Sequence, residues 1–125
     1  MPEEIRIIPN AELQSGPPTA GMLRNTAVES DGVWMGEVHA EPGAMSGWHH
    51  HGEHTTYGYV IAGHVHVDFG LGGQTSLDGG ASDFFVVPPH TVHREGNVGD
   101  GEQVLVAIRV GSGPTVINVD GPDAQ

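Results

Sequence analysis

Apolar residues along this chain recur mostly at every second position, in short runs that glycine and proline break every few residues. In "VWMGEVHA" (33–40), "YGYVIAGHVHVDFG" (57–70), "DFFVVP" (83–88) and "QVLVAIRVG" (103–111) the alternation gives an extended strand one apolar and one polar face. Turn chemistry separates these runs, at "EPG" (41–43), "LGGQ" (71–74), "LDGG" (77–80), "GNVGDG" (96–101) and "GSGP" (111–114). No segment carries a sustained helical stripe; only "NAELQ" (10–14) offers a single turn. Short strands at such spacing pack as a sandwich or a closed barrel, so the predicted class is all-β. Residues 1–30 are less regular and include "SGPPTAG" (15–21), which predicts an extended arm before a barrel core over 31–111. The tail, 112–125, alternates weakly in "TVINV" and predicts an edge strand or a crossing to a partner subunit.

Length and charge narrow the classes of function. A chain of 125 residues is enough for one domain with a core of its own. Sixteen acidic residues stand against four arginines and no lysine, a net charge of -12, which repels a phosphate backbone or an anionic membrane. No apolar run approaches the roughly 20 residues of a spanning helix, and no basic-then-apolar leader is present, so a soluble cytoplasmic protein is expected. With no cysteine there is no disulfide, thiolate nucleophile or thiolate ligand, and a metal here must sit on nitrogen and oxygen.

Histidine supplies the nitrogen. "GWHHHGEHTT" (47–56) holds four of the nine histidines. In an extended strand His49 and His51 share a face while Trp48 and His50 point the other way. A strand resuming after Gly52 puts His54, Thr56, Gly58 and Val60 on one face. "PPHTVHREGN" (88–97) places His93 after a turn, where a neighbouring strand brings a third imidazole. Three neutral imidazoles converging in a barrel make a facial site for a first-row divalent metal, with positions left for water or substrate.

These residues resemble the cupins, and among them the small single-domain bacterial cupins. The first motif reads Gly43, His49, His51, Thr56 and Gly63 through "GAMSGWHHHGEHTTYGYVIAG"; the second reads Ser82, Pro88, His90, His93 and Asn97 through "SDFFVVPPHTVHREGN". The resemblance implies a jelly-roll β-barrel over residues 1–125, a homodimer, and one divalent ion (Fe, Mn, Ni or Zn) on His49, His51 and His93. This chain departs from the family pattern at three positions. Thr56 stands where the family usually has a liganding glutamate, and Ser82 and His90 replace turn glycines, a minor change if the backbone there avoids positive φ. Without the carboxylate, the site is expected to carry about +2 rather than +1 and to bind enolate or carboxylate oxygen more strongly. His54, on the inward face, is the candidate fourth ligand and proton carrier, and Glu53 the candidate base; Gly58 leaves space beside the site.

The remaining polar residues take plainer expectations. His64 and His66 alternate with an apolar face and are expected to meet water or a subunit, as are His50 and His90; His39 shares a solvent-facing strip with Glu37 and Glu41. Arg24 and Arg94 are expected in salt bridges, and the aromatic residues in the core or an interface. The resemblance then implies a small-molecule enzyme with an anionic or enolic substrate and no nucleic-acid or membrane partner. The first reading is a non-haem dioxygenase acting on a chelated enol, diketone or catechol. The alternatives are a redox-neutral cyclase, isomerase or lyase, and a non-catalytic ligand-binding or sensing protein.

Overall fold

The computed structural model describes residues 4–16 and 20–124, so the expected extended arm falls partly outside the described residues. The elements are nearly all strands. A single 3-10 turn, Asn10–Glu12, occupies the one helical signal in the sequence, and a second, Leu71–Gly73, fills the "LGGQ" turn. The strands are β1 (Gln14–Ser15), β2 (Met22–Ser30), β3 (Val33–Ala40), β4 (His49–His50), β5 (Thr55–Ala62), β6 (His64–Phe69), β7 (Thr75–Gly80), β8 (Phe84–Val87), β9 (His93–Gly96), β10 (Gln103–Val110) and β11 (Ile117–Asn118). They form two antiparallel sheets, one in the order β1-β2-β3-β10-β5-β8 and one in the order β11-β4-β9-β6-β7. This is the all-β jelly-roll barrel that the resemblance implies. No helix among the described residues is long and apolar enough to cross a membrane.

Period-two patterning places the core. β3, β5 and β10 alternate buried and more accessible positions along almost their whole length. The inward set Met22, Val38, Ala40, Val60, Val65 and Leu105 packs with Ala44 between the sheets, flanked by Val67 and Phe85. β2 lies within the stretch expected as an arm, and its pairing with β3 from Met22↔Ala40 to Ser30↔Val33 makes Met22–Ser30 part of the barrel. The tail becomes an edge strand: β11 pairs with β4 through Ile117↔His50 and Asn118↔His49.

Two buried amides pin the end of β9 to its neighbours. Asn97 Nδ2 donates to the carbonyls of Ala40 (3.0 Å) and Gly101 (2.7 Å), and its Oδ1 accepts the Gly99 N–H at 3.0 Å. Gln103 Nε2 donates to the carbonyls of His64 (2.8 Å) and Gly96 (2.9 Å). Buried amides bonded in this way fix register, because a one-residue slip would leave them unpaired.

Three local expectations change. Ser82 (φ 76) and His90 (φ 57) both adopt the left-handed backbone that glycine favours, so these substitutions put side chains on strained turns. The space beside Gly58 is already occupied by the Phe85 ring, which a Cβ would strike; it is a packing site. His50, expected to face outward, is 9% exposed, and its Nδ1 accepts the Gly52 N–H at 3.0 Å.

Candidate metal centre

β4 and β9 run side by side with His49 directly opposite His93, and the chain leaving β4 carries His51 to the same inner face. All three are buried, at 5%, 2% and 1% exposure for His49, His51 and His93. Their rings lie close, with centroids 4.4 Å apart for His49–His93, 5.0 Å for His49–His51 and 5.1 Å for His51–His93. Period two along β9 then brings in Glu95, whose Oε1 is 3.6 Å from His49 Nε2 and 3.9 Å from His93 Nε2. One ligand atom from each of the four residues lies within 4.8 Å of the others. Donors on a single ion with bonds near 2.0–2.2 Å stand at most about 4.4 Å apart, so closure on an ion needs shifts of only a few tenths of an ångström.

The orientation of the rings fits an ion. Each histidine has its Nδ1 on a backbone carbonyl: His49 on Gly47 at 2.8 Å, His51 on Thr115 at 2.7 Å and His93 on Thr91 at 2.8 Å. A carbonyl can only accept, so Nδ1 carries the proton and the Nε2 lone pairs face one another. His93 Nε2 is buried without any hydrogen-bond partner. Burying such an atom unpaired costs on the order of 1–3 kcal/mol, a loss that coordination would offset. The donor set, three imidazoles and one carboxylate, suits Mn, Fe or Zn.

Electrostatics keep the cluster in its ligating form. Burial, with the Arg109 charge, pulls the His51 pKa from 6.5 to about 3, and burial likewise lowers His93. Burial by itself would raise Glu95, but its interactions with the His49, His93 and His51 side chains outweigh it and hold the carboxyl well below its usual range. Neutral rings and an ionised carboxylate are what a divalent ion requires.

The predicted ligands His49, His51 and His93 therefore come together, while His54 does not join them. His54 is 3% exposed, its Nδ1 lies 3.2 Å from the His51 carbonyl, and it is not among the residues whose ligand atoms converge. Glu53 sits at the surface, where its Oε1 is 2.8 Å from His90 Nε2, and at 67% side-chain exposure it is no base for a buried site. The expected carboxylate-free shell is corrected as well: Glu95, from the second motif, supplies the oxygen that Thr56 cannot, and the charge with a divalent ion is about +1. The spacing rule that joined His49 to His51 also joins His93 to Glu95, and it could have identified this ligand. Thr56 itself is buried at 3% exposure, and its hydroxyl has no partner.

Two separate cavities border the site. An apolar one of about 500 Å³ opens between β7 and β8 and reaches His93, with Val60, Val67, Phe69, Phe85 and Val87 in its walls. A much smaller space, about 20 Å³, lies on the other side, bounded by His51, Thr56, Glu95 and Arg109.

Comparison with known proteins agrees with this architecture. The curated protein "Germin-like protein subfamily T member 3" of Arabidopsis thaliana is 32% identical over 102 residues, which is 80% of this chain and 45% of that protein, so the chain spans about half the length of this relative. Among solved structures, an uncharacterised conserved protein with a double-stranded β-helix domain from Klebsiella pneumoniae superposes with a TM-score of 0.75 at 21% identity, covering 94% of this chain and 99% of the other. KdgF from Halomonas sp. gives a TM-score of 0.72 at 20% identity, covering 86% and 96%. A point mutant of Bacillus subtilis oxalate decarboxylase gives 0.70 at 24%, covering 82% of this chain and 29% of that one. The Cupin_2 family, described as a cupin domain, matches residues 36–109, more than half of the sequence, and the chain belongs to that family.

Proposed function

We propose that this chain is a metal-dependent enzyme that binds one divalent ion through His49, His51, His93 and Glu95, and that with iron or manganese it acts as a dioxygenase on a small enol, diketone or catechol-like substrate. The observation that carries this reading is the convergence of four buried ligand atoms within 4.8 Å of one another. Four protein ligands leave two positions of an octahedron open, which matches a substrate that chelates through two oxygens. Fe(II) or Mn(II), when bound, supplies Lewis acidity and one-electron redox chemistry to a chelated substrate. The Gly47, Thr115 and Thr91 carbonyls hold the three rings in a single tautomer. The ionised Glu95 balances part of the metal charge. The apolar cavity beside His93 is shaped to take the body of the substrate and to keep bulk water from the reacting face.

The relatives support a metal enzyme at the level of the class. Oxalate decarboxylase is found among the similar structures, one of them described through its Mn(II) centres. A homodimer belongs to the same proposal, supported by the apolar outer face around Tyr57, Ile61, Phe84 and Val86, which are 46–79% exposed.

The test is elemental analysis of protein purified without added metal, followed by oxygen uptake with acetylacetone and catechol after iron loading. The proposal expects oxygen consumption at one ion per chain. Bound zinc with no oxygen consumed after iron loading would replace it with a redox-neutral cyclase, isomerase or lyase. A filled site that turns over neither class of substrate would leave the ligand-binding reading.

A further inference from the structure

Among the described residues Arg109 is the one arginine buried almost completely, at 6% exposure, and none of its charge is matched by a salt bridge there. Its Nε is buried without a hydrogen-bond partner, and its guanidinium carbon lies 4.8 Å over the Trp34 ring, which supports the cation from one face only. Directly opposite, Arg109 pairs in register with Thr56 across β10 and β5, and the Thr56 hydroxyl is another buried polar group without a partner. Both side chains border the small space that His51 and Glu95 bound from the metal side. Burial opposes the arginine's charge and lowers its pKa, while Glu95 draws it the other way.

A buried guanidinium whose Nε has no hydrogen-bond partner, beside a buried hydroxyl that has none, carries a desolvation cost that an oxyanion would relieve. We propose that Arg109 and Thr56 form an anion subsite beside the metal centre, and that the substrate is a small carboxylic acid whose carboxylate they hold while a second oxygen faces the ion. The inference rests on the metal-enzyme reading and narrows its substrate class. Charge supports it: within an acidic chain of net charge -12, the arginine and a divalent ion with Glu95 make one cationic interior, of about +2. Space is compatible with it, since about 20 Å³ beside Arg109 admits one oxygen of a carboxylate, and a separate apolar cavity of about 500 Å³ reaches His93. An enol, diketone or catechol engages these donors where it also carries a carboxylate.

The experiment is calorimetric titration of the full chain, metal-loaded and EDTA-stripped, with malonate and with malonamide as its uncharged counterpart. Malonate should bind both forms and malonamide neither measurably. Arg109→Gln should weaken malonate by ~10- to 100-fold and the isosteric Thr56→Val by ~10-fold in the stripped protein, the range expected for hydrogen bonds to a charged group. Metal content should stay unchanged in both variants. Equal malonate affinity in wild type and both variants would overturn the subsite, as would equal binding of malonamide. Thr56→Val decides the matter if Arg109→Gln does not fold. Since the stripped protein is titrated as well, malonate binding that follows Arg109 in a chain that never takes up metal would count against the metal centre and leave the anion subsite standing.

Discussion

The five-stranded sheet carries a histidine–carboxylate cluster on each face, and the two are built to opposite ends. On the inner face, the ring Nδ1 atoms are bound to carbonyls and the Nε2 atoms are left to converge with Glu95. On the outer face the groups pair with one another. His66 Nδ1 meets Asp78 and its Nε2 meets Asp68, both at 2.7 Å; His64 Nε2 meets Asp78 at 2.8 Å. Ser76 (2.7 Å) and Arg94 (2.8 Å) also donate to Asp68, and Arg94 lies 4.8 Å over the Trp48 ring. β9 serves both, with Glu95 inward and Arg94 outward, as β-strand alternation requires. The difference shows that histidine and carboxylate content does not make a metal site. What matters is whether the second nitrogen of each ring is left with an aligned lone pair.

The largest effects should follow from opening the inner cluster. His51→Ala removes a ligand and should lower metal affinity by more than the ~10- to 100-fold typical of losing only an outer hydrogen bond to a ligand. Glu95→Gln should come next, with a smaller loss than His51→Ala because the amide keeps an oxygen in place and removes only the negative charge, both measured by competition with a chromogenic chelator. Equal affinity in wild type and Glu95→Gln would return the site to three histidines alone. In the outer cluster the effect should fall on stability. Asp68→Asn leaves His66 and Arg94 without their buried carboxylate partner and should cost about 2 kcal/mol in denaturant unfolding, with metal content intact.

How much of this contrast the sequence shows depends on the kind of contact. Period two locates the strands, and the pair of motifs locates His49, His51 and His93, because ligands at i and i+2 or within a motif leave a mark in the spacing. The role of Glu95 follows from the same alternation along β9, but attention to the glutamate missing at position 56 hides it. The Thr115 carbonyl that orients His51 has no side-chain signature, since any residue in the tail provides a backbone oxygen. By pattern alone His66 and Asp68 form a solvent-facing row. Only the register that lays Asp78 beside His66 and Arg94 beside Asp68 turns the row into a network.

pH separates the two clusters further. The hydrogen bond to Asp78 raises His66 above 6.5, so its contribution is complete below that pH and is lost as pH rises through the raised value. Hydrogen bonds from Ser76 and then Arg94 lower Asp68 from 3.8 to about 2, so its contribution is complete above pH 3.8 and fades as pH falls toward 2. The stability gap between wild type and Asp68→Asn should therefore be widest between pH 3.8 and 6.5. A gap that stays constant from about pH 2 to about pH 9 would contradict the network. The inner cluster runs the other way: with His51 lowered to about 3, the metal-stripped protein gains stability from that ring as pH climbs from 3 to 6.5. The smallest effect is expected from His64→Ala, whose side chain is 39% exposed; it should change stability by less than ~0.5 kcal/mol.

The most direct test of the central claim is elemental analysis of the wild type and of a His49→Ala/His51→Ala/His93→Ala variant after identical metal loading and dialysis. The wild type should retain one divalent ion per chain and the variant none. A variant that keeps its ion, or a wild type that retains none, would show that these rings do not form the metal centre.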